Sequence, residues 1–337
     1  MRLAALVEGE DHVCCRYRLK AFQPHLASRG HTLDLRELPR GMWNRFRLGA
    51  DLAGHDAVIL QRKLLSTIET NLLRRRASRL LYDFDDAIFL RDSFSGKGFE
   101  SRKRRDRFRA IVRQCDAIVA GNSFLAENAA ELSHGRPVTI IPTCVDVERY
   151  ELADHERPTG HADLVWIGSS STLKGLDAIA PLLERVGRTL PEMRLKLICD
   201  RYLKFEHLRV LPTPWSEAHE GDDLASADIG ISFIPDDPWS RGKCGLKVLQ
   251  YMAAGLPVVA NPVGVQVDMI QHGETGFLVN SDDEWIEALE LLAHDPERRR
   301  AMGLAGRKIV EERYSVEAGA ACWFTLLRNL SSHRVSA

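Results

Sequence analysis

The sequence predicts an α/β protein of two doubly wound domains, and three observations carry that prediction. Short apolar runs alternate with helix-length segments along most of the chain, the cadence of a parallel sheet with crossover helices. The rhythm breaks near residue 150 in a polar stretch containing Pro and Gly. A length of 337 residues matches two domains of roughly 150 residues each.

The first series reads LAALV, TLDL, AVIL, RLLYDF, AIVAG and PVTIIP, each run short enough to be a strand. Residues 147–163, VERYELADHERPTGHAD, show no apolar period and read as a linker. The second series reads DLVWIG, RLKLICD, LRVLP, DIGISFIP, PVVAN and GFLVN. Beyond residue 282 the pattern is helical only. Residues 314–330 place Val316, Ala320, Trp323, Leu327 and Leu330 at helical spacing, so the last helix needs an apolar surface to cover. The expected organisation is an N-terminal domain over 1–152, a C-terminal domain over 153–312, and a final helix over 313–337 packing back toward the first. Two such sheets are expected to face a central cleft, with ligands beyond the carboxyl ends of the strands.

With 45% hydrophobic and 28% charged residues and a net charge of −1, the chain reads as an ordinary globular protein, which argues against a nucleic-acid partner. Its seven cysteines (14, 15, 115, 144, 199, 244 and 322) have no C-x-x-C spacing. They read as free thiols in a reducing cytoplasm, without a zinc site or disulfide framework. The N-terminal MRLAALVEGEDH has too short an apolar run for a signal peptide, and no stretch approaches a membrane span. A cytoplasmic location is expected. The basic runs RRRAS (74–78) and RKRRDRFR (102–109) read either as solvated helix faces or as attraction to anionic lipid headgroups or a phosphate-bearing acceptor. Peripheral contact at the inner membrane face stays open on that ground.

The most informative segment is PDDPWSRGKCGLKVLQYMAAG (235–255). Gly242 and Gly245 flank Lys243 and Cys244 just before a helix that starts near Leu246. Glycines permit close backbone approach, and a helix N-terminus presents unpaired N–H groups at the positive end of its dipole. With Arg241 and Lys243 added, the loop reads as an anion cradle; a flexible turn is the alternative. Within the helix, Leu246, Leu249 and Ala253 form an apolar ridge that tilts Lys247, Gln250 and Tyr251 toward one edge.

These residues resemble the nucleotide-binding half of retaining glycosyltransferases of the GT-B class, family 4. LQYMAAGLPVVANPVGVQVDMIQHGETGFLV is similar to that family's signature, IPTCVDVERY (141–150) to its inter-domain segment, and DLVWIGSSSTLKG (163–175) to its phosphate-contacting segment. The resemblance implies two Rossmann-like domains, the first for the acceptor and the second for the donor. It also implies metal-independent transfer of a sugar, with retention, from a nucleotide-diphosphate donor to a hydroxyl acceptor such as a glycan, a lipid-linked glycan or a small molecule. No cofactor is required.

The family carries glutamates at the positions of Gly242 and Gln250. Gln250 keeps hydrogen-bonding capacity for a ribose diol, while sugar contacts pass to Lys243 and the N–H groups of Cys244, Gly245 and Leu246. Of the family's Arg/Lys pair on the diphosphate, Lys174 matches the lysine, and Ser169, after Gly168, stands where the arginine is usual. Arg241, Lys243, Arg16 or Arg18 are the candidate replacements. Lys174, Lys243 and Arg241 are therefore the expected catalytic cations, placed where charge develops on the leaving diphosphate.

In YDFDDAIF (82–89), Asp83, Asp85 and Asp86 invite a metal-binding D-x-D reading. Asp85 and Asp86 read instead as acceptor-orienting groups or partners of Arg16 or Arg18, or as strand-end caps. His12 follows the first strand and reads as a cleft or a solvated residue. Trp215 reads as flanking the nucleotide base or as domain-surface packing, with Glu217 a weaker candidate. A non-catalytic nucleotide-sugar-binding or scaffold protein is the alternative function, motivated by the two absent glutamates. A dehydrogenase is disfavoured because no G-x-G-x-x-G follows an opening strand.

Overall fold

The structure, a computed structural model, describes residues 1–39, 41, 44–45, 52–156 and 162–332. The chain divides into two compact units, neither of them continuous in sequence. The first comprises Met1–Cys144, Asp237–Cys244 and Val316–Ala337, and the second Val145–Asp236 and Gly245–Ser315. The division falls earlier than the polar stretch suggests. Val147–Arg149 is a 3-10 turn and Tyr150 is buried, while the centre of the expected linker, 157–161, and the final residues 333–337 lie outside the described residues. Nothing in the sequence pattern announces that Asp237–Cys244 leaves the second unit for the first.

In the first unit all six expected runs are strands: β1 (Arg2–Val7), β2 (Thr32–Glu37), β3 (Ala57–Gln61), β4 (Leu80–Phe84), β5 (Ala117–Ala120) and β6 (Val138–Ile140). They form one parallel sheet in the order β2-β1-β3-β4-β5-β6. Strands covered by helices on both faces lose the alternation of half-exposed strands; β3, β4 and β5 are buried at every position. The final helix, Val316–Ser332, belongs to this unit, where Val316, Ala320, Trp323 and Leu327 join the cluster of Leu3, Ala5, Val7 and Phe22.

The second unit repeats the architecture with β7 (Asp163–Ile167), β8 (Arg194–Ile198), β9 (Arg209–Thr213), β10 (Ile229–Ser232), β11 (Val258–Ala260) and β12 (Gly276–Leu278). The sheet is parallel in the order β12-β11-β10-β7-β8-β9. Two strand series wind outward in opposite directions from β7 and β10, so the carboxyl ends of these two strands form a topological switch point where ligands bind. The equivalent point of the first unit lies between β1 and β3.

The helix Leu246–Ala253 ends just before Gly255, whose φ of 69° is the left-handed geometry that glycine adopts at no steric cost. Its environment corrects one expectation. Tyr251 does not share a polar edge with Lys247: it is fully buried against Gly230 of β10, and its hydroxyl accepts the Ile167 N–H at 3.1 Å. This helix is covered on several sides, so a one-ridge wheel understates its burial.

All seven cysteines are free thiols, and all but Cys322 are buried. Burial pushes the Cys15 thiol up to about 11 and Cys144 up to about 12, where little reactive thiolate forms near neutrality. In a thiol-titration experiment at pH 8, only Cys322 is expected to react quickly in the native protein; a second fast thiol contradicts this packing.

Candidate functional site

The second unit brings Gly168, Ser169, Trp166 and Lys247 together at the carboxyl end of β7. Gly168 donates its N–H to the Ile198 carbonyl at 3.0 Å. Ser169 precedes the helix Ser170–Asp177, and its N–H donates to Thr172 Oγ1 at 3.3 Å. The Ser170 N–H is held by the Asp200 carboxylate at 2.6 Å, and hydrogen bonding from Ser170 keeps that carboxyl below its usual range. The first N–H of this helix therefore already has an anion of the chain's own. Lys174 stands exposed in its last turn.

The helix Leu246–Ala253 is built differently. Gly245 precedes it at φ 67°, with no side-chain cap and no acid in the first turn. A side chain at Gly245 would meet Met269 Sδ at 2.6 Å. The first-turn residue Lys247 places Nζ 3.4 Å from Thr172 Oγ1 and 4.9 Å from the centre of the Trp166 ring. A lysine in the first turn opposes the helix dipole, which favours anions there. Uncapped N–H groups beside an ammonium thus form a locally positive corner. Gln250 on this helix is only 3% exposed. In the same unit, Asn261 binds the backbone of Ile234 in both directions, at 3.0 and 2.7 Å, and Gln266 binds the Asn261 carbonyl at 2.7 Å, fixing the loop after β10.

A second polar cluster occupies the first unit, at the carboxyl ends of β1, β3 and β4. Arg18 is enclosed, held by Asp83 at 2.5 and 3.1 Å and by the Ile141 carbonyl at 3.0 Å. Burial works against its charge, but Asp83 more than offsets this and raises the Arg18 pKa. Arg18 is thus part of the unit's interior, and its partner is Asp83, where the sequence suggested Asp85 or Asp86. Those two carboxylates pair with Arg62, a residue that sequence reasoning missed. Burial opposes ionisation of Asp85, yet Arg62 and Arg18 hold its carboxyl below the usual range. Arg62 has φ 61°, a left-handed geometry costing a non-glycine residue about 1–2 kcal/mol.

Lys243 joins this cluster through Asp86 at 2.9 Å and lies 5.0 Å from the Trp239 ring centre. Asn122 donates to the Lys243 and Arg241 carbonyls at 3.0 and 3.3 Å, so the expected anion cradle is fastened to the first unit. Gly242 is required for that approach, since a Cβ there would stand 2.7 Å from Ala87. Cys244 is buried with Sγ 3.2 Å from the Asp85 carbonyl, and burial raises its pKa. Arg241 is exposed. His12 accepts the Cys14 N–H as a helix cap, and Arg16 is buried, with its guanidinium 5.3 Å from the Tyr17 ring centre.

The D-x-D reading meets the same geometry: Asp83, Asp85 and Asp86 are each engaged by arginine or lysine, and the described residues contain no cluster of metal-ligating side chains. Trp215 donates to Glu220 at 2.8 Å and is 42% exposed, while Glu217 pairs with Arg149. Among the described residues no helix is long and apolar enough to cross a membrane.

Two doubly wound parallel sheets define the architecture of the GT-B glycosyltransferases. Sucrose-phosphate synthase from Thermosynechococcus elongatus superposes with a TM-score of 0.76 at 16% identity, covering 99% of this chain and 100% of that one. HepE of Anabaena, solved in complex with UDP and glucose, gives 0.71 at 14% identity over 98% and 100%. At these identities the likeness establishes the fold. Residues 238–309 match the model of the family described as Glycosyl transferases group 1, in agreement with the resemblance read from the sequence. The sulfoquinovosyl transferase SQD2 of Arabidopsis thaliana is 34% identical over 172 residues, 44% of this chain and 32% of that protein. A D-inositol 3-phosphate glycosyltransferase of Pseudarthrobacter chlorophenolicus is 28% identical over 235 residues, 63% and 55%. The matched regions thus span from about a third to about half the length of these relatives.

Proposed function

We propose that the protein is a retaining, metal-independent glycosyltransferase that moves a sugar from a nucleoside diphosphate to a hydroxyl acceptor. The observation that carries this reading is the first turn of Leu246–Ala253, where uncapped N–H groups stand beside Lys247 at the switch point of the second unit. As the glycosidic bond breaks, negative charge grows on the leaving diphosphate. Fixed N–H dipoles and ammonium groups aimed at those oxygens lower the barrier without reorganising. Lys174 serves the same charge from the neighbouring helix. The donor phosphate takes the acceptor hydroxyl proton. The Arg62, Asp86 and Lys243 cluster of the first unit offers both donors and acceptors to a hydroxyl compound.

The first test is thermal unfolding with nucleoside diphosphates and their sugars, UDP and UDP-glucose among them, because a ligand that binds only the native state raises its stability. Release of nucleoside diphosphate, fast with an acceptor and slow without, is the activity readout. Lys174→Ala is expected to cut that rate by about a hundredfold with the melting temperature unchanged; a rate near wild type removes Lys174 from the diphosphate. Added chelator is expected to leave the rate intact, and its loss would return the Asp83–Asp85–Asp86 run to consideration.

One observation favours a second reading, a nucleotide-sugar-binding protein without turnover. Gly242 and the enclosed Gln250 stand where the family resemblance places glutamates. Robust ligand-induced stabilisation with neither transfer nor donor hydrolysis across a broad panel would support it.

A further inference from the structure

We propose that a basic face on the first unit docks the protein on an anionic lipid bilayer. Residues 102–114 hold seven cations and one acid, and residues 67–79 four cations and one acid, in a chain whose net charge is −1. The two runs are distant in sequence but adjacent in the fold. They lie on the helices Thr67–Arg76 and Arg102–Gln114, joined by a Gln114 to Asn71 hydrogen bond of 2.6 Å. The second helix turns Phe108, Ile111 and Val112 into the core, leaving the opposite face to the cations. The Arg102 side chain is 97% exposed, and Arg75, Arg76 and Lys103 are exposed too.

Part of this charge is already satisfied. Arg74 pairs with Asp116, Arg105 with Glu131, and both Arg102 and Arg109 with Asp106. Arg75, Arg76 and Lys103 make no ion pair among the described residues. The cations are spread along helices of about 15 and 20 Å, so they do not converge as a site for a single phosphate does. Each lysine or arginine near an anionic bilayer adds to the attraction.

Two exposed apolar side chains favour a bilayer over a nucleic acid. Ile68, 63% exposed, opens the first helix, and Phe94, 44% exposed, sits in the loop leading to the second. Such groups enter the headgroup boundary and gain little on a phosphate backbone. The remainder of the chain carries a net negative charge, which a bilayer meeting one face avoids and a long polyanion does not. The Phe94 loop also borders the Lys243 segment, through Ser93 and Ser240 at 3.2 Å.

The experiment is sedimentation of the full chain with phosphatidylcholine vesicles, with and without phosphatidylglycerol, at low and high salt. Binding is expected only with phosphatidylglycerol and is expected to weaken with salt. The variant Arg75→Glu/Arg102→Glu/Lys103→Glu is expected to lose about tenfold or more of that binding. It is expected to keep its melting temperature within a few degrees, because acids at 102 and 103 suit the first turn of one helix and offset the acid that Arg75→Glu places in the last turn of the other. Arg75→Lys/Arg102→Lys is expected to bind as wild type, since charge and not shape is read. Equal binding to both vesicle types, no binding, or full binding by the charge-reversed variant overturns the proposal. Tighter binding to a random RNA duplex than to anionic vesicles at the same salt would assign the face to nucleic acid instead.

Discussion

Replacing Lys247 with alanine is expected to lower kcat/KM for sugar transfer by about two to three orders of magnitude, with little change in the unfolding curve. The ammonium stands in the first turn of an uncapped helix, where it opposes the dipole when no anion is present. Its removal costs the free protein contacts that include those with Trp166 and Thr172, offset in part by relief of the unfavourable dipole interaction. A diphosphate leaving group reverses that balance, because the cation and the N–H groups then act on one developing charge. The loss is expected mainly in kcat, since charge on the leaving oxygens grows toward the transition state. Initial rates across a donor series separate the two parameters. Unchanged kinetics would mean that the diphosphate does not sit at this corner.

Asp83→Ala is expected to destabilise the protein by about 3–5 kcal/mol, because it leaves the Arg18 guanidinium enclosed without its counter-charge. The pair is sealed, with side-chain exposures of 1% and 0%, so solvent cannot take over the lost partner. The Ile141 carbonyl satisfies one N–H but does not neutralise the charge. Urea denaturation measures the effect, and a loss under about 1 kcal/mol would mean that water reaches Arg18. Replacing both residues by apolar groups of similar volume is expected to recover much of the loss, because burying a charge pair is itself costly.

The strands were legible because their burial on both faces turns them into plain apolar runs such as AVIL and AIVAG. Asp83 sits inside such a run, and only tertiary structure reveals that Arg18 answers it across 65 positions. The same holds for Arg62: nothing local to LQRKLL indicates that its backbone turns left-handed and its side chain collects Asp85 and Asp86. At Ser170 the resemblance pointed to phosphate contact, yet Asp200 from the end of the next strand already holds the first N–H. Lys247 did carry a signal, a cation in a first turn without an acid. The apolar ridge of its helix accounted for the pattern without it. The run DPWSRGKC read as one loop of the second domain because it lies between two of that domain's elements; Asn122, Ala87 and Asp86, which fasten it elsewhere, lie more than a hundred residues upstream.

That excursion bears on how such a chain can be cut and recombined. The backbone changes unit at Cys144–Val145, Asp236–Asp237, Cys244–Gly245 and Ser315–Val316. No single cut frees either half, and a chimera joined near residue 150 would import a foreign octapeptide and closing helix along with its new second unit. Exchanging the second unit between relatives of this kind therefore calls for two matched inserts, Val145–Asp236 and Gly245–Ser315, with the Asn122 and Ala87 contacts kept as native seams.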